Sequence, residues 1–367
     1  MFDFERAPFL VIWEATQACD LACTHCRASA RPQRDPGELD TEEAKALLSE
    51  IAAMGTRVVV LSGGDPLKRP DIFGLVRHAK DAGLRVATIP SATPALERDV
   101  VFRLRDEGLD QIALSLDFPD PRLHDSFRGT PGAFRKTMEA AGWAREAGLP
   151  LQINTTVWAR SFPHFPALVD LLRRLEVVFW EVFFLVPVGR GATLEGLDAE
   201  LCERIFGFLH AVQKNNSFVL KVVEAPQYRR FVWQRENGGK SPSELPPLLV
   251  RKEGPGRSLG LAPAAVNAGK GFAFVSHTGE VYPSGFLPLS AGNVRTKPFS
   301  AIYRDSPLFR AMRDPGRLLG RCGRCEFREL CGGSRSRAFA LTGNPFATDP
   351  WCAYRPSRHS GSNAACN

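Results

Sequence analysis

The feature that most constrains this sequence is the alternation of short apolar, β-branched runs with amphipathic stretches over residues 8–186. The runs predict six strands, at 9–13, 57–61, 85–89, 111–116, 151–157 and 178–186. The periodicity between them predicts helices near 41–54, 70–82, 95–107, 131–147 and 163–175. Six strand–helix units in a row predict an α/β protein with a parallel sheet and helices outside it. An open doubly wound sheet and a partial barrel both fit this pattern, and both place ligands at the carboxyl ends of the strands.

The pattern changes after Arg190. A helix is predicted near 197–214, and the polar stretch 237–242 predicts a loop. Residues 271–284 alternate around a turn at 276–280, which predicts a hairpin. The last sixty residues are rich in Cys, Gly and Arg and contain little apolar material. A second, smaller region is therefore expected.

Composition and charge exclude several classes of protein. Hydrophobic residues make up 44% and charged residues 24% of the 367 residues, which excludes a disordered chain. The apolar run at 177–186 is short and interrupted by Glu181, so no membrane helix is expected. The N-terminus lacks the layout of a signal peptide, which predicts a cytoplasmic protein. The net charge of +7 (47 basic and 40 acidic residues) is small and spread along the chain, so no nucleic-acid partner is expected.

Seven of the nine cysteines fall into two groups: Cys19, Cys23 and Cys26, then Cys322, Cys325, Cys331 and Cys352. In a cytosolic chain, clustered cysteines indicate metal ligands rather than disulfides. Cys202 lies in a helical pattern and is expected to be a small core residue, and Cys366 lies in a polar tail.

The first group has CxxxCxxC spacing and follows the first predicted strand. Three cysteines leave one iron of a 4Fe–4S cluster without a protein ligand, and that iron can bind a substrate or cofactor. The alternative is a zinc site with a fourth ligand from His25 or from a distant residue. His25 stands between Cys23 and Cys26, which makes simultaneous chelation awkward.

This spacing and placement resemble the signature of the radical S-adenosylmethionine (SAM) enzymes. The resemblance implies a partial (β/α)6 TIM-like barrel in which the three cysteines hold the cluster. SAM then binds the open iron and is cleaved by one electron, supplied by a donor such as flavodoxin or ferredoxin. The product is a 5′-deoxyadenosyl radical that abstracts a hydrogen atom from the substrate. The resemblance also places His25 against the adenine.

Further motifs at later strand ends support the resemblance. Gly63, Gly64 and Asp65 resemble the GGEP motif of the family, with aspartate for glutamate; glycine there lets carbonyls approach the SAM ammonium group. The resemblance assigns the other SAM contacts to Ser115 and Asp117 (ribose), Arg128 (carboxylate) and Val188 (adenine and the mouth of the site).

The four later cysteines can saturate one metal centre, and structural zinc is the alternative. Beside the first group, they resemble the C-terminal SPASM extension, which carries auxiliary 4Fe–4S clusters. The full extension has seven cysteines. Here Ser284 stands where a cysteine is common, none occurs from 203 to 321, and Arg335 follows the run 331–334 in place of another. The resemblance therefore implies one auxiliary cluster, held by four cysteines in a small C-terminal Cys-rich domain.

The implied domains are a radical SAM partial barrel at 1–215, a connecting segment at 216–270, a SPASM/twitch-like cluster domain at 271–358 and a flexible tail at 359–367. The single auxiliary cluster resembles the branch that makes siroheme-derived haem and dissimilatory haem. In that branch the radical attacks a propionate side chain of a tetrapyrrole, with decarboxylation or propionate removal. Arginines suit such carboxylates, and Arg190, Arg295 and Arg335 are candidates by location.

Three alternatives remain at this stage. A radical SAM maturase of a peptide is the closest, although the first strand begins within ten residues of Met1, which leaves no room for an N-terminal leader-binding domain. The GTP-cyclising enzyme of molybdopterin synthesis is disfavoured, because it holds its C-terminal cluster with three cysteines and ends in paired glycines. A non-enzymatic zinc scaffold has no need of the glycine motif at the second strand.

Overall fold

The computed structural model describes residues 2–238 and 265–356. Its strands are β1 Leu10–Thr16, β2 Val58–Gly63, β3 Arg85–Thr88, β4 Gln111–Ser115, β5 Leu151–Val157, β6 Phe179–Phe184, β7 Val219–Val223, β8 Phe272–Val275, β9 Glu280–Tyr282 and β10 Gly292–Asn293. Its helices are α1 Thr41–Ala53, α2 Ile72–Asp81, α3 Arg98–Asp106, α4 Pro121–Arg128, α5 Ala133–Glu146, α6 Phe165–Arg174, α7 Ala199–Lys214, α8 Gln227–Glu236, α9 Phe299–Asp305, α10 Pro307–Arg313, α11 Gly320–Gly323 and α12 Arg335–Thr342.

These strands form one sheet in the order β10-β9-β8-β1-β2-β3-β4-β5-β6-β7. Strands β1 to β7 run parallel in sequence order, and β8 adds in parallel beside β1. Strands β9 and β10 continue antiparallel. In the part of the chain that the structure describes, β7 and β10 do not pair with each other, so the sheet stays open. The predicted α/β fold, a partial barrel with a small C-terminal extension, is confirmed.

The two faces of the sheet differ in chemistry, and this difference positions the site. The face toward the helices is apolar, and Trp13 and Trp180 have no exposed surface there. On the opposite face, one rung of paired positions crosses β4 to β7 and carries only polar residues: Ser115, Asn154, Glu181 and Lys221. Strand residues alternate between faces, so this polar rung lines the inside of the curved sheet.

Most predicted elements are confirmed with small shifts at their ends. Strand β5 has the predicted bounds, and helix α1 begins with a capping box formed by Asp40 and Glu43. In that box the backbone N–H of Glu43 donates to Asp40 over 2.9 Å, and the return bond is also 2.9 Å. The predicted hairpin is formed by β8 and β9. None of the helices within the described ranges is long and apolar enough to cross a membrane.

Eight of the elements given above were not predicted: α4, β7, α8, β10 and α9 to α12. Helix α4 has eight residues, too few for clear periodicity, and begins at the Asp120 cap. Strand β7 and helix α8 lie within residues 216–270, which were predicted to connect the two domains. The sheet thus continues into that segment. The predicted loop at 237–242 lies beyond Gly238 outside the described residues, as do Cys366 and all of the predicted tail 359–367.

Candidate functional site

The first three cysteines lie together on the loop that follows β1, at the carboxyl end of the sheet. Cys19 and Cys23 are buried and Cys26 is half-buried. The backbone N–H groups of Leu21 and Ala30 point at the sulfurs of Cys19 and Cys26, each over 3.4 Å. Burial raises the pKa of the Cys19 and Cys23 thiols. N–H donors toward cysteine sulfurs are typical of iron–sulfur sites, and binding a metal there releases the thiol protons.

The loop after β6 holds this cysteine loop from one side. Gly189 has a φ of 56°, and a Cβ atom there would lie 2.3 Å from the carbonyl oxygen of Arg27. The backbone N–H of Arg190 donates to Cys26 O over 3.0 Å, and its Nε donates to Cys23 O over 2.8 Å. Arg190, a candidate for a substrate carboxylate, is thus turned toward the cysteine loop, and its Nη1 also donates to Ala30 O over 3.4 Å. Val188, predicted to frame the adenine, is half-buried beside it.

The C-terminal end of α4 holds the same loop from the other side. Arg128 Nη2 forms an ion pair with Asp117 Oδ2 at 2.5 Å, and its Nη1 lies 3.9 Å from Cys23 Sγ. Burial acts to raise the pKa of Asp117, but the Arg128 charge, the nearby His25 and His124 and the Thr156 N–H together outweigh it and hold that pKa below its usual range. The other oxygen of Asp117 accepts the backbone N–H of Thr156 over 2.8 Å. Asp117 has no exposed surface, and it therefore orients Arg128.

His25 belongs to an aromatic column that the sequence did not reveal. Its ring stacks on Phe127 with centroids 4.3 Å apart and planes within 6°, and Phe127 stacks in turn on Trp158 at 6.0 Å. Burial, helped by the Arg128 charge, lowers the pKa of His25 to about 3, so the ring is neutral. A neutral, flat ring in this position suits stacking against a nucleobase.

The predicted glycine motif fits against the entry of the cysteine loop. A Cβ atom on Gly63 would lie 2.3 Å from Thr16 O, and one on Gly64 would lie 2.4 Å from Ala18 O. Asp65 is buried and its carboxylate accepts from Leu67 N, Ser91 N and Thr93 Oγ1 over 2.9–3.3 Å. Burial raises the pKa of Asp65. Close packing of β2 against the loop thus requires these glycines, and Asp65 fixes the turn.

Several polar atoms around the cysteine loop are buried without a partner. They are His25 Nδ1, Arg128 Nε and Arg190 Nη2. Leaving such atoms unpaired is unfavourable unless a ligand meets them. Two guanidinium donors and an imidazole nitrogen fit the carboxylate and adenine of SAM, so the residues present fit the predicted cofactor. Ser115, predicted to contact the ribose, lies half-buried at the end of β4.

The four later cysteines line a single pocket in the C-terminal region. Cys322, Cys325, Cys331 and Cys352 all border it. The N–H of Gly333 points at Cys331 Sγ over 3.4 Å. Burial raises the pKa of Cys325 to about 11 and raises that of Cys331 further. The predicted ligand set is thus brought together, and its four thiols fit a closed cluster.

Across residues 2–238 and 265–356, no three His, Cys, Asp or Glu side chains are grouped to hold a single metal ion. In a 4Fe–4S cluster each cysteine binds a different iron atom. Cys202, outside both groups, is buried on α7 as predicted, and burial raises its pKa to about 12.

Ser284, the position where the SPASM resemblance implies a cysteine, belongs to a hydrogen-bonded cluster around Glu224. Glu224 follows β7, and its carboxylate accepts the hydroxyls of Ser284, Ser334 and Ser336 over 3.1, 2.5 and 2.9 Å. The cluster joins the barrel to the C-terminal region where Ser284 replaces a cysteine. Glu224 carries no motif signal in the sequence, because its partners lie 60 or more residues away.

The other two candidate arginines have partners of their own in this structure. Arg295 is a surface residue whose guanidinium binds Glu43 at the start of α1, with the closest pair of atoms 2.6 Å apart. Arg335 is 3% exposed and is directed at Cys322, with Nη2 lying 3.7 Å from the sulfur. Neither guanidinium is free to bind a substrate carboxylate.

The described geometry agrees with what is known of similar proteins. The sequence profile of the Radical SAM superfamily matches residues 13–172. The chain is 39% identical to the AdoMet-dependent heme synthase of Methanosarcina barkeri over 98% of this chain and 100% of that protein. It is 38% identical to the enzyme of the same name from Nitratidesulfovibrio vulgaris, over 95% and 93%. Among solved structures, Streptococcus suis SuiB bound to S-adenosylmethionine superposes with a TM-score of 0.73 at 16% identity, over 95% of this chain and 78% of that chain.

Proposed function

Because this chain belongs to the radical SAM superfamily, we propose that it oxidatively decarboxylates propionate side chains of an iron tetrapyrrole in haem biosynthesis. The main support for this proposal is the full-length similarity to AdoMet-dependent heme synthases. In addition, the cysteines of each of the two groups lie close together. We assign Cys19, Cys23 and Cys26 to the SAM cluster. The four cysteines of the C-terminal pocket hold the auxiliary cluster.

The chain's own residues prepare the SAM site. A 4Fe–4S cluster bound to the first cysteine group supplies the electron that cleaves SAM into methionine and the hydrogen-abstracting 5′-deoxyadenosyl radical. Arg128, held by Asp117, and Arg190, held by the loop carbonyls, direct positive charge to the SAM carboxylate. His25, kept neutral, packs against the adenine, and Ser115 meets the ribose.

On the substrate, one hydrogen atom would be removed from the propionate carbon next to the macrocycle by the radical that bound SAM would supply. The bond to the carboxylate then breaks, carbon dioxide leaves, and a vinyl double bond forms with release of one electron. The auxiliary cluster is the proposed acceptor of that electron. A small reductant protein such as flavodoxin or ferredoxin is the proposed donor for SAM cleavage.

We assign the substrate carboxylate to Lys221 rather than to the three arginines. Its ammonium group has three N–H donors, of which one meets Glu181 Oε1 at 2.6 Å, so it can also bind a second carboxylate. Its side chain is 36% exposed on the polar rung inside the barrel. The rung also contains Ser115, the proposed ribose contact, so a carboxylate at Lys221 lies across the barrel from the SAM site. A charge-assisted hydrogen bond of this kind contributes about 1.5–3 kcal/mol.

The direct test is incubation of anaerobically reconstituted protein with SAM, a reductant and iron coproporphyrin. We expect 5′-deoxyadenosine together with a product that has lost one carbon dioxide and two hydrogens per converted propionate, measured by mass spectrometry. Loss of the whole propionate would indicate side-chain removal instead. Turnover of a cysteine-containing peptide but of no tetrapyrrole would favour a maturase.

Lys221→Met tests the substrate assignment. We expect the KM for the tetrapyrrole to rise about tenfold, since one charge-assisted bond is lost, with the KM for SAM unchanged. The control is Lys80→Met, which removes a similar pair with Asp110 (2.7 Å) on the helical side of the sheet. Equal effects of the two substitutions would contradict the assignment.

A further inference from the structure

Arg335 is a buried arginine beside the second cysteine group that has no carboxylate partner. Its guanidinium donates to the carbonyl oxygens of Gly333, Pro345 and Ala347 over 3.2, 2.8 and 2.9 Å. The remaining nitrogen, Nη2, is directed at Cys322 Sγ. Among the described residues no acidic side chain lies within ion-pair distance, so the cysteine sulfur is the anionic group that this charge meets.

The approach of Arg335 to the sulfur depends on the residue between them. Gly333 has a φ of 68°, and a Cβ atom there would lie 2.4 Å from Arg335 Nη2 and 3.3 Å from Cys322 Sγ. A side chain at this position would displace the guanidinium from the cysteine. The local backbone is therefore shaped to bring a positive charge to the pocket.

A second arginine, Arg229, lies near another cysteine of the group, Cys331. Arg229 on α8 donates to the carbonyls of Leu330 and Val266 and lies in a cleft that Cys331 also lines. Burial lowers the pKa of Arg229, and the Cys331 sulfur acts against that effect. In the two described ranges, Arg229 has no ion pair with a carboxylate.

Two arginines next to Arg229 and Arg335 in the chain do have a carboxylate partner. Arg230, the next residue on α8, pairs with Glu203. Arg337, two residues after Arg335, pairs with Asp349 at 2.7 Å, and neither side chain of that pair is exposed. A buried guanidinium normally requires such an opposite charge. Arg229 and Arg335 therefore need an anion that the side chains of residues 2–238 and 265–356 do not supply.

We propose that Arg335 and Arg229 are the counter-charges of the auxiliary cluster and raise its reduction potential. This inference rests on the proposed function, which places a 4Fe–4S cluster on the four cysteines. With four thiolates the oxidised cluster carries a net charge of −2, and one added electron makes it −3. Nearby positive charges and hydrogen bonds to the sulfurs favour the more negative state. The pocket is thereby suited to accept the electron that decarboxylation releases.

The test uses the full chain with Cys19, Cys23 and Cys26 replaced by alanine, so that the auxiliary cluster is studied alone. In this background the midpoint potential is measured by redox titration followed by electron paramagnetic resonance. We expect Arg335→Met and Arg229→Met each to lower the ratio of reduced to oxidised cluster at a fixed potential about tenfold. For a one-electron couple this is a shift of about 59 mV to more negative potential.

The matched control is Arg328→Met. Arg328 borders the same pocket but is exposed, so solvent screens its charge, and we expect a change of less than about twofold. Arg335→Lys keeps the charge, and we expect its potential to lie between those of the parent and Arg335→Met. If Arg335→Met fails to bind about four irons, the midpoint potentials of Arg229→Met and Arg335→Lys test the proposal in its place.

The role of the arginines would be overturned if Arg229→Met and Arg335→Met kept their irons and had the same midpoint potential as the parent. If Arg335→Met does not assemble, an unshifted Arg229→Met would overturn it. Zinc in place of iron in the parent triple variant would instead overturn the cluster assignment itself. The two failures are thus distinguishable.

Discussion

The two cysteine groups of this protein are both sheltered, but their surroundings differ. The loop after β1 offers three thiols and is bordered by buried polar atoms with no partner, on His25, Arg128 and Arg190. The C-terminal pocket offers four thiols, and Arg335 beside it already has partners for all three guanidinium nitrogens. The comparison teaches that one group is prepared for an outside ligand, whereas the other is closed and supplied with charges from its own chain.

The largest effect on activity is expected when a cysteine is removed from the open group, the one that follows β1. Cys23→Ala should abolish formation of 5′-deoxyadenosine, because the cluster that delivers the electron for SAM cleavage loses one of its three ligands. Iron analysis should still find about four irons per chain at the second group. The control is Cys202→Ala, a buried cysteine of α7 outside both groups, which should keep SAM cleavage. Wild-type cleavage by Cys23→Ala would contradict the assignment.

Removing a ligand from the closed group should give a different phenotype. Cys325→Ala should retain SAM cleavage within about tenfold but form no decarboxylated product, because the released electron has lost its acceptor. Liquid chromatography of 5′-deoxyadenosine and of the tetrapyrrole measures both outcomes in one reaction. Full product yield would show that the second group only stabilises the fold.

Gly189, in the loop after β6, is expected to be needed for the shape of the open cysteine group. Gly189→Ala places a methyl group against Arg27 O, and we expect the iron content to fall from about eight toward about four per chain. Gly148→Ala is the control, since Gly148 also has a positive φ (71°) but has no atom within 4 Å of its Cβ position. Both substitutions carry a backbone strain of about 1–2 kcal/mol, so a difference in iron content isolates the contact with the cysteine loop. Equal iron contents in the two variants would show that the contact is unimportant.

The smallest effect is expected far from both groups. Arg295→Ala removes an ion pair with Glu43 that lies at the surface, and such pairs contribute about 0–1 kcal/mol. Thermal unfolding should be nearly unchanged, and the KM for the tetrapyrrole should stay within about twofold of the wild-type value. A large rise in that KM would restore Arg295 as a substrate contact.

The sequence predicted the strand–helix units and the location of each cysteine group, because both depend on local periodicity and spacing. It did not predict where single side chains point. Arg335 was expected at a substrate carboxylate, but its direction depends on Gly333 and on carbonyls that tertiary packing brings together. Arg295 meets Glu43 across 252 positions of chain, which no local pattern records. The Glu224 cluster and the His25–Phe127–Trp158 column likewise arise from distant segments.

The central claim, one open and one closed cluster, is tested most directly by adding SAM to the reduced protein and recording electron paramagnetic resonance spectra. The account predicts about eight irons per chain and a spectral change on SAM addition. That change should disappear when Cys19, Cys23 and Cys26 are replaced by alanine, and should persist when Cys322, Cys325, Cys331 and Cys352 are replaced. A response to SAM that survives loss of the first group, or bound zinc in place of iron, would contradict the account.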